Sequence, residues 1–265
     1  MMIRRSPLDI LIPVYNEGEN IAQLLDLLDS GITTPFRLLI CYDHDDDSTL
    51  PVLEACKVSF EILKIKNQYQ GPHGAIMTGF EISDADCVIV FPADDNYNIS
   101  IMDKMYEKFK DGNDIVVASR FMKGGSMRGG PLLKTLFCRL GSFSLYWLSS
   151  IPVRDASNGF RLFSRRVLDT VLIESSEGFT FSLELLVKCE RLKWKIGQVP
   201  AKWFEREKGV SRFKVMKWLP YYIRWYLYGL STTWIRKGPG TVTLKKRDSS
   251  IAANGRSTRT SATTT

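Results

Sequence analysis

Within the first 118 residues, five short apolar runs alternate with four segments of helical spacing. No other feature constrains the fold as tightly. The runs fall at 8–14, 37–42, 60–65, 87–91 and 115–118, and the helical patterns lie between them at 20–28, 50–56, 74–82 and 101–109. Short strands separated by helices of about ten residues read as βαβ units on a parallel sheet. The second helix has Ser48 or Thr49 as its expected N-cap and Pro51 in its first turn. In open sheets of this kind, ligands bind beyond the carboxyl ends of the strands.

Those ends are polar. The first run leads into Pro13-Val14-Tyr15-Asn16-Glu17 and the second into Asp43-His44-Asp45-Asp46-Asp47. The third leads to Gln70-Gly71-Pro72-His73-Gly74, and the fourth stops at Phe91 and passes into Pro92-Ala93-Asp94-Asp95-Asn96. A carboxylate pair in that position suits a hard cation such as Mg²⁺, whose other ligands are commonly phosphates. A solvated acidic turn is the plainer alternative. Four polar ends on one sheet edge favour a single site. The 43–47 run lacks the glycine and trailing glutamate of a calcium-binding EF-hand loop.

Charge divides the chain. Residues 1–118 carry 9 Lys and Arg against 20 Asp and Glu, a net of −11, whereas residues 119–265 carry 27 against 9, a net of +18. An acidic half suits metal binding and a basic half suits phosphate groups. The acidic half argues against a nucleic-acid binder. Five scattered cysteines without CxxC spacing argue against a disulfide framework and favour a reducing compartment. The N-terminus is expected to hold a strand, with no signal peptide, and no apolar run reaches the roughly 18 residues of a spanning helix.

Past residue 118 the pattern changes. After Arg120 the chain reads FMKGGSMRGGP, and 120–130 is expected to be a mobile cationic loop. Amphipathic helices are expected at 132–148 and 213–234, and a structural helix carrying Glu184 at 181–191. The 213–234 stretch interleaves Trp218, Tyr221, Tyr222, Trp225 and Tyr226 with lysine and arginine, which suits a helix lying on a membrane surface. A core helix packed on the domain is the alternative. Residues 237–265 offer almost nothing to bury and are expected to form a disordered tail.

In order along residues 8–215, the segments IPVYNEGENI, DHDDDST, GPHGAIMTGFE, VIVFPADDN, SRFMKGG, DASNGFRLFSRR and VPAKWFEREKGVSRF resemble a family 2 glycosyltransferase. The SR-x-x-x-GG, D-x-x-x-GFR and R-x-x-G-x-S-R motifs are similar to the dolichol-phosphate mannose synthase and polyprenyl-phosphate glycosyltransferase branch. The Q-x-x-R-W signature of processive synthases is lacking, since Tyr221 stands where its glutamine would be.

The resemblance implies a GT-A (Rossmann-like) α/β fold, with a mostly parallel sheet flanked by helices. Residues 1–212 would form the catalytic domain, with a donor half (1–118) and an acceptor half (119–212), followed by an interface helix at 213–236. It implies an inverting enzyme that moves one sugar from a nucleotide-sugar, GDP-mannose or a UDP-hexose, to a polyprenyl or dolichyl phosphate. Such an enzyme would need Mg²⁺ or Mn²⁺ and would sit peripherally on the cytoplasmic face of a membrane. Pro13, Tyr15, Glu17 and Asp43 would line the donor pocket, with His73 as a further donor contact. Asp94, also a donor and catalytic residue, would hold the metal with Asn96 and Asp95. Arg120, Lys134 and Arg212 would meet the acceptor phosphate. Asp155 and Arg206 would border the reaction centre.

Four positions depart from the family pattern. Pro92 replaces the first D-x-D aspartate, Tyr42 the first aspartate of D-D-x-S, and Lys134 and Cys138 stand where arginine and serine are usual. The competing readings are a transferase with a non-lipid acceptor in surface polysaccharide synthesis and a degenerate nucleotide-binding homologue.

Overall fold

The computed structural model describes residues 6–129, 132–204, 215–235 and 238–246; the side chains of 132–134 and 215–217 lie outside that description. The first half alternates as expected: β1 (Asp9–Pro13), α1 (Gly18–Gly31), β2 (Arg37–Tyr42), α2 (Thr49–Ala55), β3 (Glu61–Lys66), α3 (Gly71–Ile82), β4 (Cys87–Val90), α4 (Ile101–Lys110) and β5 (Ile115–Ser119). There follow β6 (Ser126–Arg128), α5 (Leu132–Leu148), β7 (Arg161–Ser164), α6 (Arg165–Thr170), α7 (Thr180–Arg191), β8 (Ile196–Pro200), β9 (Lys202–Phe204) and α8 (Val215–Trp234).

Seven strands form one sheet in the order β3-β2-β1-β4-β7-β5-β8. All neighbours pair in parallel except β7, which is antiparallel to both β4 and β5. β7 therefore joins the acidic first half to the basic second half within the same sheet. Side chains alternate across the pleat. Ile10 and Ile12 of β1 face a core with Leu24, Leu25, Met102 and Met105 from α1 and α4, while Leu11 faces the opposite core with Phe80 of α3 and Phe181 of α7. Helices thus cover both faces, which explains why the strands read as unbroken apolar runs. β6 and β9 pair in parallel as a separate two-stranded sheet.

Two expectations for the C-terminal part are corrected. The aromatic residues of α8 do not all face outward. Trp225 is 3% exposed, and Tyr222, Tyr226 and Tyr228 pack against the core. Among its described side chains, Tyr221, Ile223, Leu227 and Trp234 are the large hydrophobic residues that α8 turns to solvent. One helix thus serves as core on one face and open surface on the other. The expected tail is likewise ordered in its first part. A 3₁₀ turn at Pro239–Thr241 leads to a bridge between Val171 and Leu244. Leu172 N donates to Thr243 O, Lys245 N to Thr170 O, and the Tyr228 hydroxyl to Thr241 O. Main-chain pairing and burial of Val242 hold this segment, although its composition is polar. No described helix is long and apolar enough to cross a membrane.

Candidate active site

The parallel strands β1, β2, β3, β4, β5 and β8 deliver their C-terminal ends to one edge. Because β7 is antiparallel, it brings there the residues that precede it, 155–160. All the polar segments singled out above as strand ends therefore share one edge with Arg120 and Asp155.

On the donor side, most of the acidic run is engaged locally. Asp43 accepts from Asn67 Nδ2 at 2.6 Å and from Gly71 N at 3.0 Å. Asp45 pairs with Lys66. Asp47 is buried and accepts from Asn16 N and Thr49 N, each at 2.9 Å. Glu17 N donates to Thr49 Oγ1 and Ser48 N to Asn16 Oδ1, which laces the β1 and β2 ends together. Asp47, rather than Ser48 or Thr49, thus satisfies the first turn of α2. The lacing needs Gly18, where a Cβ would stand 2.6 Å from the Ser48 carbonyl oxygen. Tyr15 and His44 meet edge-on with centroids 6.2 Å apart, and they border a cavity of about 290 Å³ with Asn16, Asp46 and Asp47. Pro13, two residues before Tyr15, ends β1.

Asp43 also fixes an unusual turn. Gln70 has φ 87° and ψ 143°, a conformation ordinarily left to glycine, and it precedes Gly71 at φ 72°. Strain of this kind collects at functional turns. His73, two residues on, does not join the Tyr15–Asp47 cavity; its ring meets Phe181 edge-on at 6.2 Å. Burial pushes its pKa down, against a hydrogen bond with Gly178 and the charges of Glu184 and Glu177. Its Nδ1 is buried without a partner. The first turn of α3 aims this residue at Phe181 of α7.

The Asp94–Asn96 loop separates its members. Asp95 accepts from Tyr97 N at 3.0 Å, Asn98 N at 3.1 Å and Asn98 Nδ2 at 2.6 Å. Both its oxygens serve the turn, which makes Asp95 the cap of this loop. Asn98 in turn bonds the Lys202 backbone through both ends of its amide. Asn96 donates to Gln23, but its Oδ1 is buried without a partner. That orphaned oxygen, beside Asp94, is the observation that fits a divalent cation. Among the described residues no group of three or more His, Cys, Asp or Glu could hold a metal by itself.

On the acceptor side, Arg120 and Asp155 form one buried unit. Arg120 donates to Asp155 through its backbone N at 2.9 Å, Nε at 2.7 Å and Nη2 at 2.9 Å. Nη2 also reaches Ser157 Oγ at 2.8 Å, and that hydroxyl donates to Asp155 Oδ1. Asp155 is fully buried. Burial alone would raise its pKa, but the charge and hydrogen bonds of Arg120 outweigh it and hold the carboxyl below its ordinary value. Asp155 therefore holds Arg120 in place through both of its oxygens. The same bonds take much of the Arg120 fork away from any acceptor phosphate. The side chain of Lys134, and all of Arg206, Ser211 and Arg212, lie outside the described residues.

Arg161, the arginine of the D-x-x-x-GFR motif, had no role assigned from the sequence. Its guanidinium is fully buried on β7 and donates to the carbonyls of Asn158, Ala156 and Ser182, with no carboxylate partner among the described residues; burial lowers its pKa to about 10. A lone arginine inside an apolar strand, RLFS, was the available signal.

The glycosyl transferase family 2 model matches residues 9–172. The chain is 24% identical over 251 residues to a dolichol-phosphate mannosyltransferase of Pyrococcus furiosus, covering 86% of this chain and 70% of that protein. It is 21% identical over 228 residues to a polyprenol monophosphomannose synthase of Mycolicibacterium smegmatis, covering 79% of this chain and 85% of that one. Among solved structures, glucosyl-3-phosphoglycerate synthase from Mycobacterium tuberculosis, in complex with Mn²⁺, UDP and its product, superposes with a TM-score of 0.62 at 16% identity, covering 90% of this chain and 86% of that one. The seven-stranded sheet is that of a GT-A enzyme, and the chain is a glycosyltransferase that belongs to glycosyl transferase family 2.

Proposed function

We propose that this glycosyltransferase moves one sugar, with inversion, from a nucleotide-sugar to a polyprenyl phosphate at a membrane surface. GDP-mannose and UDP-hexoses are the candidate donors. The observation that carries this reading is an apolar face beside the acceptor residues. Leu136, Phe137, Leu140, Phe143 and Trp147 of α5 are each more than half exposed, at helical spacing. Ile223, Leu227 and Trp234 of α8 extend the exposed apolar surface. The opposite side of α5 bonds the Asp155 turn through Ser142, whose Oγ accepts from Ala156 N. A lipid chain at the membrane and a phosphate at Arg120 fit that arrangement. The mannosyltransferase and mannose synthase relatives support it.

Asp94 and Asn96 Oδ1 would hold a Mg²⁺ or Mn²⁺ ion together with the donor's phosphates, and Asp95 would not. When bound, such an ion offsets charge developing on the nucleoside diphosphate leaving group. Tyr15, Glu17 and Asp43 would frame the donor. The acceptor phosphate is already an anion at neutral pH and needs no strong base to attack. This agrees with Asp155, whose oxygens are all engaged. Arg120 would orient the acceptor with what its fork retains, and Arg206, Lys134 and Arg212 would add charge.

The test is a panel of radiolabelled GDP- and UDP-sugars with polyprenyl phosphate and either metal. Lipid-soluble label from one donor is expected. Label passing only to a soluble acceptor would overturn the lipid assignment, and no transfer to any acceptor would favour a degenerate homologue.

A further inference from the structure

α5 turns a polar stripe inward at its first turns. Thr135, Cys138, Ser142 and Leu145 recur at intervals of three and four residues, which places them on one face. Ser142 and Leu145 are buried, and Ser142 Oγ lies 3.5 Å from Ser157 Oγ, next to the Arg120 fork. Seven residues before Ser142 on this face, Thr135 Oγ1 is buried and has no partner.

α8 runs beside α5 in parallel. The Tyr226 hydroxyl donates to Ser144 Oγ at 2.9 Å, Gly229 lies against Leu145, and Trp234 Nε1 donates to Leu148 O. One turn before Tyr226, that register brings Tyr222 level with the Cys138–Gly141 turn of α5. A Cβ added at Gly141 would meet nothing within 4 Å, so the helices leave space there. Tyr222 is close enough to Arg120 and Arg161 to feel their charges. Burial raises its pKa, so the phenol stays protonated and can donate.

The charge in this region does not balance. Arg120 and Arg161 are two buried guanidiniums, and Asp155 is the one carboxylate bonded to either among the described residues. A buried net positive charge, with an orphaned hydroxyl two turns along the same face of α5, calls for an anion that accepts hydrogen bonds. A phosphate monoester does both. One of its terminal oxygens must stay nucleophilic, and neutral hydroxyls hold the others with less withdrawal of charge than cations would.

We infer that Thr135 and Tyr222 are acceptor-binding residues, each donating a hydrogen bond to the acceptor's phosphate in the crevice between α5 and α8. The inference rests on the acceptor carrying a phosphate, as proposed above. The test uses the full chain with Thr135→Val and Tyr222→Phe, which keep shape and remove only the hydroxyls. Each should raise the KM for polyprenyl phosphate about tenfold, as expected for one hydrogen bond to a charged group, with the donor KM unchanged. Thr135→Val should also keep or raise Tm, because it removes a buried unsatisfied hydroxyl. An acceptor KM within twofold of wild type for both variants, or a fall in Tm for Thr135→Val, overturns the assignment. Binding of farnesyl phosphate, read by calorimetry, separates this from the catalytic reading. Wild-type binding weakened about tenfold in both variants supports the site even if no lipid is glycosylated. Equal binding in wild type and variants, or none in wild type, refutes it.

Discussion

Replacing Asp155 by Asn should cost more stability than any surface change in this protein, and the structure indicates how much. The carboxylate is fully buried and receives the Arg120 backbone N–H, Nε and Nη2, and the Ser157 hydroxyl. The Arg120 side chain is itself 8% exposed. Asn keeps the shape but leaves a buried guanidinium without its counter-charge, a loss of about 3–5 kcal/mol for a broken buried pair. At roughly 2–4 °C per kcal/mol for a domain of this size, Tm should fall by about 6–20 °C. Thermal unfolding followed by circular dichroism at pH 7 measures it. Asp155 titrates below its unfolded value, so its contribution is complete above pH of about 4 and is lost as pH falls through the lower folded value. The gap between wild type and Asp155→Asn should therefore close only in acid. A double variant, Arg120→Met with Asp155→Leu, should recover much of the Tm and none of the transfer activity. A single variant within about 2 °C of wild type at pH 7 would refute the reasoning.

Asn96→Ala should raise the metal concentration needed for half-maximal transfer by roughly tenfold, about 1.4 kcal/mol, whereas Asp95→Asn should lower Tm and leave metal dependence unchanged; a metal titration that moves with Asp95 instead would reverse the assignment. His73 has a lowered pKa in the fold, so its neutral form is favoured. Stability should be full above the unfolded histidine value near 6.5 and decline as pH drops from there toward the lower folded value. His73→Phe should flatten that decline between pH 7 and 5, and an unaltered Tm profile would sink the idea. Phe143→Asp with Trp147→Asp should reduce co-sedimentation with anionic vesicles at least a hundredfold, given about 1.5–3 kcal/mol for each large side chain, with Tm kept; undiminished sedimentation would place the membrane contact elsewhere.

The donor half was legible because parallel strands covered on both faces are uniformly apolar, and the helices between them carry their own spacing. All five strands and four helices expected there occur within a few residues of their expected bounds. The acceptor half was harder. β7 is four residues with a buried arginine, and its direction depends on partners more than 40 residues away in β4 and β5. In α8, aromatic residues occur around the whole helix, so composition could not say which of them face Val187 and Phe181 and which face solvent. The site was legible as a set of strand ends. The division of work within it was not, because Asp95 and Asp155 reach their bonds through backbone turns that residue type alone does not reveal.

The backward course of β7 also governs how the chain can be assembled or divided. β4 and β5 never pair with each other; each pairs with β7, which is completed only at Ser164. A nascent chain that has emerged as far as β5 thus holds two hydrogen-bonding edges open until 45 more residues follow. A fragment ending at residue 118 would expose β4 as an unprotected edge prone to aggregation. The acidic and basic halves, so distinct in charge, are consequently a single folding unit that cannot be expressed or exchanged as two parts.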